Sequence, residues 1–171
     1  ECKKVLGYLE TTYNNELATV LSISELTPES EKLQNQLDVL TTSLKQIFNS
    51  NKAVLDGQME MTAAKLGVEI PSFKLTQLEK QANELIPITT NELKQSGFRV
   101  ERSIRELPEE TTVKYPYRNI ANSTELCALI NGKNSALDMK KMLDTQYKNE
   151  SDLQSILNYL ELLKLKGLVS F

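Results

Sequence analysis

The side chains best suited to chemistry are scarce in this sequence. It contains no histidine. Ser/His and Cys/His nucleophile–base pairs are therefore ruled out, and the commonest transition-metal ligand is missing. The only two thiols, Cys2 and Cys127, lie 125 positions apart. That spacing matches no zinc site, and the pair either forms one long-range disulfide or stays free. The adjacent carboxylates Glu109 and Glu110 are of the kind used in glycoside cleavage, but beside Pro108 they read as a solvated loop. Ser151 and Asp152 are accounted for as helix-capping residues. The sequence thus points to no catalytic residue, no metal-ligand set and no cofactor site.

Recognition is better represented. All four arginines (Arg99, Arg102, Arg105 and Arg118) fall between residues 99 and 118, together with Tyr115 and Tyr117. Arginine and tyrosine are enriched at protein interfaces, and guanidinium groups suit carboxylate or phosphate partners. Four glutamates offset the four arginines and Lys114 in this stretch, which favours a solvated or internally paired segment, or one docked on protein. With Leu168 and Phe171 at the C-terminal end, these residues form the candidate interaction surface.

The elements that must carry these residues are helical. Val5, Leu6, Leu9, Tyr13, Leu17, Val20 and Leu21 recur at helical spacing and predict a helix over 3–24. Thr27 as cap and Pro28 at the first helical position predict the start of a second helix. Leu33, Leu37, Leu40, Leu44, Ile47 and Phe48 are expected on one apolar stripe of that helix, continuing to Leu66 and ending at Gly67 and Pro71. A third helical stretch covers 75–96, broken at Pro87. Alternation at Phe98, Val100, Arg102 and Ile104 predicts a short strand, followed by loop to Arg118. Three short helices follow: one capped by Ser123 or Thr124, one by Ser135 with Asp138, one by Asn149 or Ser151. Leu168 to Phe171 form a final strand. This is the order of a helix-turn-helix with a reduced wing.

The chain is accordingly expected to be mainly α: an antiparallel helical bundle or hairpin over 1–97, a connector over 98–120, and a winged-helix-like three-helix module over 121–171. The net charge of −3 exerts no general pull toward nucleic acid. From Cys127 to Phe171 six lysines oppose five acids, a poor surface for neutralising phosphates. No apolar run approaches the roughly 20 residues that span a bilayer. Opening on Glu1-Cys2, the chain reads as a trimmed product or a piece of a longer protein.

Residues 126–169 run from Leu-Cys-Ala-Leu-Ile-Asn-Gly-Lys-Asn-Ser-Ala-Leu-Asp-Met-Lys to Tyr-Leu-Glu-Leu-Leu-Lys-Leu-Lys-Gly-Leu-Val. This stretch resembles the C-terminal appendage of bacterial di-zinc aminopeptidase-like proteins (metallopeptidase family 28). It is also similar to small winged-helix chaperones that present precursor peptides to modifying enzymes. The first resemblance implies a non-catalytic region whose partner is the catalytic domain of the same parent protein or a homodimer mate, in an extracytoplasmic bacterial setting. The zinc ligands of that family include histidine, so none carries over to this chain. The alternative is a free-standing module that binds peptide or, as the weaker case, DNA.

Overall fold

The computed structural model describes residues 2–26, 28–70, 72–98, 100–147 and 149–171. The chain divides into two units, Glu1–Phe73 and Lys74–Phe171. Both are dominated by helix, and the only sheet among the described residues has two strands.

The first unit is a helical hairpin. Helix α1 (Cys2–Ser24) packs against the much longer α2 (Glu31–Leu66). The start of α2 is set by Ser30, whose hydroxyl accepts the Leu33 N–H. Pro28 sits in the preceding turn rather than at the first helical position. The expected cap Thr27 and the expected stop Pro71 lie outside the described residues. Gly67 ends α2 in the left-handed region at φ 63°, where its N–H closes the last turn onto Ala63 and Ala64. A side chain there would be strained.

The face of α2 turned toward α1 carries Leu33, Leu37, Leu44, Phe48, Leu55 and Met59, all partly or wholly buried. Two interleaved sets (33, 44, 55 and 37, 48, 59) each repeat every 11 residues. That period, about 3.67 residues per turn, is close to the helix's own, so the seam stays on one side of a nearly straight rod. Tyr13 stacks on Phe48 across it, ring centroids 4.6 Å apart. Leu40 and Ile47, expected on the same stripe, lie off it and are exposed. They fall about 40–100° around the helix from the seam residues that flank them, Leu37, Leu44 and Phe48.

The second unit begins with α3 (Gln77–Glu84), opened by a capping box between Thr76 and Glu79. Pro87 ends helical geometry as expected. The next element is not a continuing helix but β1 (Ile88–Thr89), antiparallel to β2 (Val169–Ser170) at the C-terminal end. The Thr90 backbone N–H and hydroxyl both donate to the Leu168 carbonyl, at 3.1 and 2.9 Å. The chain then forms α4 (Asn91–Gln95), α5 (Glu101–Arg105) and α6 (Glu109–Lys114). Among the described residues of 98–104 the expected strand is therefore absent. Phe98 has a left-handed φ of 63° after Gly97 at 62°, which breaks extended geometry. Val100 and Ile104, four residues apart, are both buried: the spacing is helical, and too few residues separate 3.6 from 2 as a period.

Helices α7 (Ser123–Ala128), α8 (Ala136–Gln146) and α9 (Leu153–Leu165) complete the unit. Ser135 and Asp138 form the expected capping box. At α7 the cap is Asn122 in place of Ser123 or Thr124; at α9 it is Asp152, one of the two residues read as caps, in place of Asn149 or Ser151. Ser123, Thr124 and Ser151 instead place their hydroxyls in longer-range bonds, to Glu101 and from the Ala121 N–H. Helix α9 is the hub, with Ile156, Tyr159, Leu160, Leu162 and Leu163 fully enclosed.

The division falls at 73/74 and not at 97/98. Ala82 and Leu93 are buried in the same core as α8 and α9, with Leu78 and Leu85 packed beside them. The stretch 98–120 belongs to this core as well, through Val100 and Ile104.

Candidate functional site

Three titratable groups approach one another inside the second unit. Glu101 opens α5 and accepts from the Ser123 hydroxyl at 2.9 Å and the Thr124 hydroxyl at 3.3 Å. Its carboxyl is held below the usual range, first by a backbone hydrogen bond and then by these hydroxyls and Arg105, against the opposing effect of burial. Cys127 donates its thiol hydrogen to the Tyr159 oxygen at 3.8 Å. Burial pushes that thiol up to about 12, and burial also raises the Tyr159 phenol above its ordinary value. Both side chains are closed off from solvent. A thiol that stays protonated and sealed from substrate is not a nucleophile; this trio holds α5, α7 and α9 together. Both cysteines are free, Cys2 exposed and Cys127 buried. Among the described residues no group of three or more Cys, Asp or Glu is arranged to hold a metal ion.

The residues singled out as an interaction surface are only partly gathered. Arg105, Tyr117 and Arg118 line one groove with Leu107, Glu109 and Val113. Arg118 also borders a second groove between residues 76–79 and 149–153. Arg102 projects into solvent, its side chain 94% exposed and 3.6 Å from Glu106, a pairing worth little in water. Arg99 lies outside the described residues. The tyrosines act as anchors: Tyr117 packs on Tyr159 with centroids 5.4 Å apart, and Tyr115 rests half-buried against the core. The segment between them is tied down by Asn158, which donates to the Pro116 carbonyl at 2.7 Å. Leu168 is buried in the core and offers no contact to a partner. Phe171 stays accessible under the Lys164 ammonium, 4.1 Å from its ring centre.

Helix α9, at the position that reads the groove in a DNA-binding helix-turn-helix, is enclosed on nearly every side. Of residues 153–163 only Gln154 is exposed and Glu161 partly so.

Two apolar features of the hairpin were not expected from the sequence. One is a groove of about 470 Å³ at its open end, lined by Cys2, Val5, Leu6, Leu55, Met59, Leu66 and Phe73 among others. The other is a row on α2: Leu40, Ile47, Val54 and Met61 are 49%, 58%, 59% and 56% exposed. Their signal was present as an interval of seven residues. It was hidden because the same helix also carries the 11-residue seam. Among the described residues no helix is long and apolar enough to cross a membrane.

Compared with protein-family models, with curated proteins and with solved structures, the chain gives no match.

Proposed function

We propose that this chain is a non-catalytic interaction region of a bacterial peptidase-like protein. In this reading the helical hairpin joins it to another protein surface, and the C-terminal unit acts as a winged-helix-like docking module beside a catalytic domain. The observation that carries the reading is the hairpin's surface. Helix α2 is 36 residues long and buries only Leu37 fully, while a row of large apolar side chains stays in water. We read a regular row of large exposed apolar side chains along one helix as a contact surface.

The second unit supports the rest of the proposal. The order α3–β1–α8–α9–β2, with β1 paired to β2 and α3 against both α8 and α9, supports a winged-helix-like reading in which residues 91–135 are an insertion. The burial of α9 favours protein over DNA as partner, because a recognition helix needs a free face to enter a groove. The Arg105–Tyr117–Arg118 groove is the candidate contact of this unit. The resemblance to peptidase appendages supplies the parent, an extracytoplasmic setting and the catalytic domain as partner.

The test is a pair of measurements. The purified chain should leave aminoacyl test substrates uncut, with or without added zinc. It should also bind, in pull-down, the catalytic domain encoded upstream in the same gene. Chelator-sensitive hydrolysis by this chain, or a gene that encodes no such domain, overturns the proposal.

A further inference from the structure

The exposed row on α2 has the spacing of a coiled-coil seam that α1 does not occupy. Leu40, Ile47, Val54 and Met61 recur every seven residues, one a position per heptad. The d positions three residues on are Ser43, Ser50, Gly57 and Ala64. All eight positions are exposed. Between Leu40 and Ala64 the flanking e and g positions carry a single charge, Glu60 at g. The other charged residues of that stretch, Lys45, Lys52 and Asp56, lie on other faces of the helix, with Lys52 and Asp56 paired at 2.6 Å.

Gly57 sharpens the pattern. It lies inside a helix, where glycine is destabilising. Its φ is not left-handed, and a Cβ built on it would meet nothing within 4 Å. Nothing in the hairpin requires glycine there. A helix packed closely from outside would make use of the missing side chain.

We infer that α2 pairs with α2 of a second copy of this chain, antiparallel, about a two-fold axis at the level of residue 52. This rests on the reading of the chain as an interaction region and narrows the hairpin's partner to itself. In that register each large residue meets a small one. Leu40 lies opposite Ala64 of the second copy, Ile47 opposite Gly57, Val54 opposite Ser50, and Met61 opposite Ser43. A parallel pairing would stack large on large and glycine on glycine, alternating overfilled and hollow layers. Antiparallel pairing also sets the two helix dipoles head to tail. The 25 residues from Leu40 to Ala64 make a contact about 36 Å long. Two such strips bury roughly 1,200 Å² in total, where stable specific interfaces begin.

Sedimentation equilibrium of the full chain at micromolar concentrations should show a dimer. Ile47→Glu with Val54→Glu should weaken it about a hundredfold, with helical circular dichroism unchanged because both positions are exposed. Gly57→Leu, which fills the notch without touching the hairpin, should weaken it similarly. A nitroxide on Asp38→Cys in a Cys2→Ser background should report a separation of about 40 Å across the dimer, from 28 residues of axial offset. A separation near 10–20 Å would mean parallel pairing and overturn the register. A monomer at all concentrations, or a dimer indifferent to both sets of substitutions, overturns the self-pairing itself. A monomer that still binds the upstream catalytic domain would sink this inference while leaving the proposed function standing; hydrolysis by the chain would do the reverse.

Discussion

Cys127 and Glu101 show how position within the fold, more than residue type, decides chemistry. The Cys127 thiol has Tyr159 as its acceptor and no path to solvent, whereas Cys2 is exposed. A disulfide-forming reagent at pH 8 should therefore titrate one thiol in the native chain and two in guanidinium chloride. Two fast native thiols would refute the enclosure of Cys127. Glu101 makes the opposite case, a carboxylate favoured in its charged form. Because its folded pKa lies below its unfolded value, its contribution is complete above the unfolded pKa, ordinarily 4.5. It is lost as pH falls through the folded value. Replacing Glu101 by Gln should cost about 1–2 kcal/mol at neutral pH through weakened bonds to Ser123 and Thr124. It should also remove part of the acid sensitivity below about pH 4.5; chemical denaturation at pH 7 and pH 3 measures both. Arg102, by contrast, is solvated, and its replacement by Ala should leave stability within about 0.5 kcal/mol.

At the scale of elements, α2 contains two glycines with opposite roles. Gly67 caps the helix in a left-handed conformation. Gly57 sits mid-helix in open space. Gly67→Ala should destabilise the hairpin by about 1 kcal/mol, and Gly57→Ala should stabilise the isolated copy by about 0.5–1 kcal/mol. Thermal melts at dilution, where self-pairing does not contribute, separate the two signs. The capping box of α8 offers a similar check: Ser135→Ala should cost about 1 kcal/mol, read from denaturation of the second unit. Asp144 holds a heavier junction. It is 7% exposed, pairs with Lys140 and accepts the Ser151 N–H at 2.8 Å. Asp144→Ala leaves that N–H unsatisfied and should cost about 1–3 kcal/mol.

For the whole molecule, each unit keeps itself folded by a different device. The hairpin depends on one seam, whereas the second unit gathers short helices around α9. Leu163→Ala, at a site with no exposure, should cost about 2–5 kcal/mol and raise hydrogen exchange across residues 74–171. What the sequence determined by itself was local: the helical stretches, the breaks at Pro87 and Gly67, the Ser135–Asp138 box, and the absence of imidazole. Each depends on residues a few positions apart, so propensity, capping and proline geometry suffice. The tertiary structure alone decided what depends on distant partners. Ile88–Thr89 becomes a strand because Val169–Ser170 pairs with it. Ser123 leaves its cap role to Asn122 because Glu101 offers a charged acceptor. The apolar residues of α2 split into a covered seam and an open row because α1 covers only one face. Periodicity states that a side chain is apolar and where it recurs along a helix; which face is covered depends on a chain segment elsewhere in the sequence.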